Sequence, residues 1–576
     1  MRYALAILGT LLLSGCATSA GPPVLKSIAD DVWARQLEGD LSARVALGLP
    51  IEGMPDPTYA RATADAAFAS RVLVRLDRID PLGLSEDERL TWAILRWRQQ
   101  MTIDGLPHFW HRSPVTPYNS AARTTSDVFR QLTVRNVGDA DRYVKLLHDY
   151  ARFVDDLAAI VREQQRRGIL LPKPEIPLVR SVFTALRRDS DTGPFAISDE
   201  RMAALDAAQR AALKAQVHTA IETRINPSLQ RLLDVVSSDY EAAAPSSVGL
   251  SQYPGGAAAY RYLMRLSTSL DMAPEEVHEL GVREVERLEG ELDAIRRQVG
   301  FQGSPTEFHR FLRNDSRFFE SSPDAIQKRL SRYVAKIEPQ LPKFFARMPR
   351  APYGVKRLDP ALEGAMTFGY YKRPTPDDPI GLYYFNGSKT GERNLLFAQA
   401  LMAHELVPGH HYQMARQEEN EALHPLRRRA FDTAFVEGWG EYAAALGLEM
   451  GIYDDPWDRA GRLMMDMMLS SRLVVDTGMN ALGWSRERAA QYLKEHSMMS
   501  DTEVATETLR YSADIPGQAL AYKIGSLRMM ALRKRAQEQL GPRFDVREFH
   551  EWLIANGSMP IQVLEQYVDE KVRSRR

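Results

Sequence analysis

The sequence predicts a mainly α-helical protein that contains one small β-sheet. Apolar residues recur at helical spacing along most of the chain, whereas residues 351–388 carry prolines and glycines between short aromatic runs. The chain has 576 residues, of which 44% are hydrophobic. This length and composition are sufficient for a large buried core, in one large domain or several smaller ones.

The N-terminal segment MRYALAILGTLLLSGCATS is typical of an exported lipoprotein. Arg2 precedes an apolar run that is too short to cross a bilayer, and small residues lead up to Cys16. The ending LSGC resembles a bacterial lipobox, in which the cysteine becomes the lipidated first residue. We predict a signal peptide at 1–16, a tether at 17–30 and a lipid anchor in the membrane. Ala17 favours the outer membrane, with the protein facing the periplasm.

The composition excludes two features. Lys and Arg total 74 and Asp and Glu total 75, and no block of like charge stands out, so a nucleic-acid partner is not expected. Cys16 is the only cysteine in the chain, so no disulfide is expected within it even in an oxidising compartment.

Helical patterns continue through residues 31–576, as one domain or as two lobes at about 31–240 and 241–576. The clearest begins at Pro274, and its apolar face consists of Val277, Leu280, Leu288, Leu292, Ile295 and Val299. Similar patterns predict helices over about 60–105, 140–170, 200–240, 325–345, 395–420, 430–450, 460–475 and 515–540.

The predicted sheet lies in residues 351–388, where the runs FGYY and GLYYFN indicate strands. A strand followed by a metal-binding helix is the usual order in zinc peptidases of the thermolysin-like clan. The edge strand in those enzymes pairs with the backbone of an extended peptide. Tyr384, in the second run, is therefore a candidate substrate-binding residue.

The segment LMAHELVPGHHYQM, residues 401–414, begins like the zinc-protease signature H-E-x-x-H. In that signature two histidines on one helical face bind Zn²⁺ and the glutamate is a general base. The pattern makes His404 a metal ligand and Glu405 a catalytic base. Pro408 occupies the place of the second histidine. Because proline cannot donate to the carbonyl of His404, the helix must deform there, and Gly409 gives the required freedom.

Two histidines follow this break. In a regular helix His411 would return to the face of His404, but about 10 Å further along the axis, too far to share an ion. His410 can be a ligand if the two surplus residues form a bulge. We favour His410 as the second ligand and keep His411 as the alternative ligand or a supporting group.

A third ligand is predicted about thirty residues later, in AFVEGWGEYAAALGLEMG. Glu437 and Glu441 lie four residues apart and therefore on one helical face. As in the thermolysin-like arrangement, we predict that Glu437 completes the metal site and that Glu441 orients a ligand histidine. Gly438 and Gly440 cost about 1 kcal/mol each inside a helix, which is reasonable where another backbone passes closely.

The segment ETLRYSADIPGQALAYKIGSLRMM provides candidates for substrate contact. Pro516 can begin a helix that places Gln518, Tyr522 and Gly525 on one face. A tyrosine hydroxyl can stabilise the oxyanion of a tetrahedral intermediate, and Tyr511 and Tyr522 are the candidates. We assign Tyr511 to catalysis and a substrate-binding role to Arg510, Gln518, Tyr522 and Lys523.

The motifs HELVPGHHYQ, FVEGWGEYA and ETLRYSADIPGQALAYKIG together resemble the bacterial domain-of-unknown-function family 885. This family is similar to the gluzincin metallopeptidases, including helical carboxypeptidases and thimet-oligopeptidase-like enzymes. The resemblance implies a helical fold with a deep cleft over the metal. Their H-E-x-G-H helix ends in Gly–His, which matches Gly409–His410 after two added residues.

The resulting hypothesis is a zinc peptidase that hydrolyses short peptides, as a carboxypeptidase or an oligopeptidase, with Glu405 as general base. One alternative is a non-catalytic lipoprotein that binds peptides or assists envelope assembly. Another is an iron or manganese enzyme, because two histidines and one carboxylate also suit ferrous oxygenases. Glu405 beside the first ligand argues against the oxygenase.

Overall fold

The structure is a computed structural model that describes residues 22–187, 193–363, 369–375 and 378–576. Its secondary structure confirms a mainly helical protein with one small sheet. The predicted signal peptide and Cys16 lie outside the described residues. None of the described helices combines the length and the apolar character that a membrane span needs.

The first ten helices form the N-terminal part of the molecule. They are α1 (Pro22–Gly39), α2 (Leu41–Ala46), α3 (Tyr59–Leu76), α4 (Glu86–Gly105), α5 (Ala121–Ser126), α6 (Val137–Arg166), α7 (Ile176–Leu186), α8 (Ala207–Ala220), α9 (Asn226–Val235) and α10 (Ser238–Ala243).

Five helices then lead to the sheet: α11 (Gly256–Thr268), α12 (Pro274–Gln298), α13 (Pro305–Asn314), α14 (Pro323–Ile337) and α15 (Leu341–Phe344). Pro274 begins α12 as predicted, and the buried side of this helix includes Val277, Leu288, Leu292 and Ile295.

The sheet contains β1 (Tyr353–Arg357), β2 (Gly369–Lys372) and β3 (Gly381–Phe385), with the short helix α16 (Pro360–Glu363) after β1. β3 is the central strand; it runs parallel to β1 and antiparallel to β2. Tyr383 and Phe385 alternate with more exposed residues on β3 and are buried in the core, as a one-sided strand requires. β2 is therefore an edge strand.

Ten helices follow the sheet: α17 (Ala398–Glu405), α18 (His410–Glu418), α19 (Pro425–Arg428), α20 (Thr433–Leu446), α21 (Pro456–Asn480), α22 (Arg486–His496), α23 (Asp501–Leu509), α24 (Ala521–Leu540), α25 (Val546–Ile554) and α26 (Ile561–Arg575). A π-helical turn, Arg510–Asp514, continues α23.

Two hydrophobic clusters dominate the core. One lies entirely within residues 41–244, and the larger one is built from residues 326–572 together with Leu90 and Ile94 of α4. The first cluster ends at Ala244, and α4 connects the two parts by packing Leu90 and Ile94 into the second cluster.

Two boundaries differ from the expectation. The tether extends no further than residue 21, because α1 begins at Pro22 and buries Leu25 and Ile28 against α3 and α4. The helix predicted over 515–540 begins at Ala521, since Pro516 and Gly517 form a turn in which Gly517 has φ +80°.

Candidate metal centre

The deformation expected at Pro408 separates α17 from α18. α17 ends at Glu405 and α18 begins at His410, and the four residues between them include a cis Val407–Pro408 peptide. A Cβ atom on Gly409 would lie 1.8 Å from the carbonyl oxygen of His404, so only glycine fits there. The indole Nε1 of Trp439 donates to the carbonyls of Pro408 and Gly409 at 3.0 and 3.2 Å, which fixes the turn against α20.

This turn brings His410 to His404 and to Glu437 of α20. One ligand atom from each of the three residues lies within 4.8 Å of the other two. The Glu437 carboxylate is 3.3 Å from Nε2 of His410 and 3.7 Å from Nε2 of His404. The two imidazole rings are 4.5 Å apart and nearly perpendicular. Two histidines and one carboxylate therefore point their donor atoms at one place.

The spacing of these donors fits zinc. Atoms bound at about 2.0–2.2 Å from a tetrahedral ion lie about 3.3–3.6 Å from one another. The carboxylate–imidazole distances of 3.3 and 3.7 Å are close to these values. Both histidines are buried, while Glu405 and Glu437 keep some exposure to solvent, so the place where the donors converge is open on one side. The three side chains would hold Zn²⁺ with a position left for water.

The charges of the site also favour a cation. Burial alone would lower the pKa of His404, but the carboxylates of Glu437 and Glu441 outweigh it and raise that pKa to about 10. Burial would raise the pKa of Glu437, whereas His404 and His410 hold it well below its usual range. No Lys or Arg in the described ranges is paired with Glu405 or Glu437. The pocket thus stabilises positive charge, as a proton or as a metal ion.

Glu405 lies beside the three ligands. Its own pKa is raised by burial, while the nearby imidazoles of His410 and His404 act in the opposite direction. The backbone amide of Tyr371, on the edge strand β2, hydrogen-bonds its carboxylate. This contact places the free edge of β2 along the site.

Glu441, which was predicted to orient a ligand histidine, lies between His404 and an arginine. Its carboxylate is 3.7 Å from Nδ1 of His404 and 2.6 Å from the guanidinium of Arg462 on α21. Arg462 also faces Asp466, which binds the ammonium of Lys523 at 2.5 Å. Glu441 thus connects a metal ligand to a buried ionic cluster.

The two glycines of α20 are required by close contacts. A Cβ atom on Gly440 would lie 2.9 Å from the ring of His404, and one on Gly438 would lie 2.5 Å from the backbone of Gly525 on α24. The expected backbone approach is therefore confirmed for Gly438. Gly440 makes room for the ligand histidine.

His411 does not reach the place where the donors converge. One ring nitrogen is 3.0 Å from the carbonyl oxygen of Ala351, and the other accepts a hydrogen bond from the hydroxyl of Tyr371 at 3.0 Å. Burial lowers the pKa of His411 to about 4, so the ring is neutral at physiological pH. Of the two histidines left open by the sequence, His410 contacts the other ligands and His411 joins α18 to the sheet.

Of the two tyrosine candidates, Tyr522 lies at the site. Its ring is 6.3 Å from that of His404 and nearly parallel to it. Burial raises the pKa of the Tyr522 hydroxyl, and the charge of Glu437 adds to this effect, so the hydroxyl is near the metal ligand. Gln518 hydrogen-bonds the same side chain. The hydroxyl of Tyr511, which was assigned to catalysis, donates instead to Glu507.

Two other predicted substrate contacts lie elsewhere. Lys523 is only 1% exposed and its ammonium is paired with Asp466 and Glu284, so it is held inside a buried ionic cluster and not presented to a substrate. Tyr384 stacks on Tyr370, on the face of the sheet opposite the buried Tyr383, because successive residues of a strand alternate. The strand beside the site is β2, not β3.

Arg510 is placed near Tyr522, and the sequence reasoning missed its neighbour Arg472. The guanidinium of Arg472 lies over the rings of Tyr522 and Tyr511 at 5.0 and 5.7 Å. Arg462, Arg472 and Asp476 all lie on α21, where charged residues interrupt an otherwise apolar helical run. Charged residues within such a run are a usable signal, because they are rarely buried without a partner.

Two adjoining cavities lie between the N-terminal helices and the half that carries the site. The larger, of about 1460 Å³, is bordered by Trp33 on α1 and by Arg373 and Thr433, which follow β2 and begin α20. The smaller, of about 730 Å³, shares Trp97 with the first and reaches Gln518. Neither cavity is lined by His404, His410 or Glu437, but the larger is lined by Thr433, four residues before Glu437, and the smaller by Gln518, four residues before Tyr522.

Comparison with known proteins identifies the family of this chain. A family described as "Bacterial protein of unknown function (DUF885)" matches residues 42–568. The chain belongs to this family. No curated protein matches it.

Two solved structures share the fold of this DUF885 protein, and both are of proteins called "putative lipoprotein". The one from Colwellia psychrerythraea has 22% identity and a TM-score of 0.85 over 96% of this chain and 98% of its own. The one from Shewanella oneidensis, of unknown function, has 18% identity and a TM-score of 0.69 over 94% and 98% of the two chains. At these identities the likeness establishes the fold.

Proposed function

We propose that this DUF885 protein is a lipid-anchored zinc peptidase that hydrolyses short peptides. The observation that carries the proposal is the convergence of His404, His410 and Glu437 beside Glu405. When bound there, Zn²⁺ would supply a Lewis acid that lowers the pKa of water and polarises a carbonyl oxygen. The resemblance of the sequence motifs to those of the gluzincins supports this ligand set, with a longer turn between the two histidines.

Glu405 is the general base in this proposal. Its carboxylate accepts a proton from the attacking water as the water oxygen bonds to the scissile carbonyl carbon. The same carboxyl group then returns the proton to the leaving nitrogen as the C–N bond breaks. Burial supports this double role, because it raises the pKa of Glu405 above its ordinary value.

Tyr522 and β2 position the substrate. The Tyr522 hydroxyl, held by Gln518 and close to Glu437, donates a hydrogen bond to the oxygen that gains negative charge. The free edge of β2 offers backbone groups that pair with an extended peptide, and Tyr371 is already directed at Glu405. His411 supports this strand through the hydroxyl of Tyr371.

The two adjoining cavities form the substrate cleft. Their walls include aromatic side chains, Trp33 and Trp97, and the exposed ring of Phe431. Volumes of about 1460 and 730 Å³ suit a short peptide and exclude a folded protein.

We further propose that Cys16 carries the lipid anchor and that the protein faces the periplasm from the outer membrane. The LSGC sequence and the lipoprotein names of the two structural relatives support this placement. Mass spectrometry of the membrane-extracted protein should find an acylated N-terminus at Cys16. Cys16→Ser should abolish the acylation, and an unmodified N-terminus in the native protein would refute the anchor.

The proposed activity is tested by Glu405→Gln in protein that begins after Cys16. The variant should keep stoichiometric zinc, because Glu405 is not a ligand, and should lose at least about 10³-fold in turnover of a short-peptide library. Glu449→Gln, at an exposed ion pair with Arg533, is the matched control and should keep full activity.

Full activity in Glu405→Gln would refute the mechanism. Stoichiometric zinc and tight peptide binding without any cleavage by the native protein would identify a peptide-binding lipoprotein instead.

A further inference from the structure

A cluster of charged residues lies close to Tyr522, with the guanidinium of Arg472 over its ring. Arg472 of α21 and Arg510 of the π-helical turn both approach one carboxylate, Glu507 of α23, at 3.4 and 3.3 Å. The hydroxyl of Tyr511 donates to the same carboxylate. We refer to Arg472, Glu507, Arg510 and Tyr511 as the arginine cluster.

The arginine cluster holds an uncompensated positive charge. Two guanidinium groups share one carboxylate, and the Nε atom of Arg472 has no hydrogen-bond partner although the residue is only 8% exposed. The other acid that acts on Arg510 is Asp514; one of its carboxylate oxygens accepts from the backbone amide of Tyr118, the other has no hydrogen-bond partner, and burial raises its pKa, which weakens it as a counter-charge. A buried cation without a full set of acceptors is costly unless a ligand supplies them.

The cluster is reachable from the cleft. Asp514 and Gln518 line the smaller cavity, and Gln518 hydrogen-bonds Tyr522, over whose ring Arg472 lies. The side chain of Arg510 retains 25% exposure. Arg472 and Arg510 are not among the residues that line the cavity, so an anionic group that enters there reaches the arginines only past Asp514 and Gln518.

The distance between the arginine cluster and His404 limits how many residues can separate the bound carboxylate from the scissile bond. The Arg472 guanidinium is 5.0 Å from the centre of the Tyr522 ring, which is 6.3 Å from that of His404. The guanidinium is thus no farther than about 11 Å from the imidazole, which is about three residues of extended chain at ~3.3–3.6 Å per residue. A carboxylate bound to the arginines belongs to the same peptide as the scissile bond, within three residues of it.

We infer that Arg472 and Arg510 bind the C-terminal α-carboxylate of the substrate, so that the protein removes one to three residues from the C-terminus of short peptides. This inference rests on the proposed peptidase activity. Glu507 and Tyr511 position the two guanidinium groups, and Arg472 and Arg510 give the bidentate, charge-assisted contacts that a carboxylate prefers.

The test compares two peptides that differ only at the C-terminus. An N-acetylated hexapeptide is offered as the free acid and as the C-terminal amide, and products are identified by mass spectrometry. The free acid should be cleaved within its last three residues, with a kcat/KM about 10–100-fold above that of the amide, the range expected for hydrogen bonds to a charged group. Equal rates for the two peptides would overturn the inference.

Two variants test whether the arginine cluster causes the preference for the free acid over the amide. Arg510→Gln and Arg472→Lys should each reduce the acid-to-amide ratio of kcat/KM at least about tenfold, because a bidentate contact is lost. Arg528→Gln, on α24 but paired with Glu565 far along the helix, is the control and should keep the wild-type ratio. Arg510→Gln removes a partly exposed side chain, so its fold survives even if Arg472→Lys does not fold.

Failure of the peptidase activity and failure of this inference give different results. Cleavage of both peptides at one rate, lost in Glu405→Gln, keeps the activity and refutes the carboxylate site. If neither peptide is cleaved, calorimetric binding to the zinc-loaded protein decides: about tenfold tighter binding of the acid, lost in Arg510→Gln, supports the site. Equal binding of acid and amide refutes it.

Discussion

Glu437 and Glu441 lie one turn apart on α20 but are stabilised in different ways. Glu437 faces the imidazoles of His404 and His410 and keeps some exposure to solvent. Glu441 is fully buried and is paired with Arg462 at 2.6 Å. Arg462 also faces Asp466, which forms an ion pair with Lys523.

The difference shows which acid the fold leaves for an external cation. At Glu441 the chain supplies an arginine itself, so the carboxylate is held in place and can orient His404. At Glu437 and the adjacent Glu405 the chain supplies only histidines, whose neutral form is a metal ligand. One helix thus carries an acid with a structural role and, one turn earlier, an acid suited to metal binding.

The largest expected effect is loss of metal binding at the site that contains Glu437. Because His410 provides one of three donors and His411 provides none, His410→Ala should lose bound zinc after dialysis, while His411→Ala should retain it. Metal content by inductively coupled plasma mass spectrometry, with the two variants in parallel, measures the difference. Zinc retained by His410→Ala, or lost only in His411→Ala, would contradict the ligand set.

His411→Ala has its own expected consequence. It leaves the Tyr371 hydroxyl and the Ala351 carbonyl without their partner, which costs about 1–3 kcal/mol of unfolding free energy. Urea denaturation should detect this loss. The pair of variants therefore separates an effect on metal content from an effect on stability.

The next largest effect is a loss of stability when the ion pair between Arg462 and Glu441 is removed. Arg462→Met leaves Glu441 buried without its cation, so the free energy of unfolding should fall by about 3–5 kcal/mol. Zinc affinity should fall about 10–100-fold, because Glu441 no longer holds the ring of His404. Arg297→Met, which removes an arginine that is 65% exposed and paired with Asp293, should cost at most about 1 kcal/mol.

Urea denaturation with chelator present measures the stability of both arginine variants without a contribution from zinc. Equal stability of Arg462→Met and Arg297→Met would show that the cation is not needed at Glu441.

The surroundings of Glu437 and Glu441 also show which features could be predicted from the sequence. His404, Glu405, Glu437 and Glu441 follow from spacing within helices, because residues four apart share a face whatever the rest of the chain does. The choice between His410 and His411 depends on the path of the turn at Pro408. Trp439, thirty residues away, holds that turn, and spacing carries no information on such a contact.

The remaining contacts depend on tertiary packing. Arg472 reaches Tyr522 only because α21 packs against the start of α24, and the edge position of β2 follows from strand order rather than from the aromatic pattern. The predicted tether, residues 17–30, overlaps α1, although the helical spacing of Leu25 and Ile28 is typical of a buried helix face. Local sequence patterns thus predicted the helices and strands, whereas the contacts between side chains depend on how distant parts of the chain pack together.

A third acid can be compared with Glu437 and Glu441, because the groups that hydrogen-bond its carboxylate are neutral and include no arginine and no histidine. Asp476 of α21 is fully buried and accepts hydrogen bonds from the Tyr260 hydroxyl, the Gly517 backbone amide and the Asn480 side chain. Burial raises its pKa to about 7, and these neutral donors only partly oppose that effect. The charged form is therefore disfavoured by the fold at this position.

The smallest expected effect is a pH dependence at Asp476. Between the ordinary pKa of 3.8 and about 7 the folded state holds a proton that the unfolded state has lost, so stability falls as pH rises through this range. Asp476→Asn cannot titrate. The stability of the wild type relative to this variant should therefore fall by roughly 1–3 kcal/mol from pH 5 to pH 8, measured by urea denaturation with chelator present. Asp271→Asn, at an exposed position, controls for the loss of one negative charge. A relative stability that rises with pH would mean that the hydrogen bonds at Asp476 stabilise its charged form as well as Arg462 stabilises Glu441.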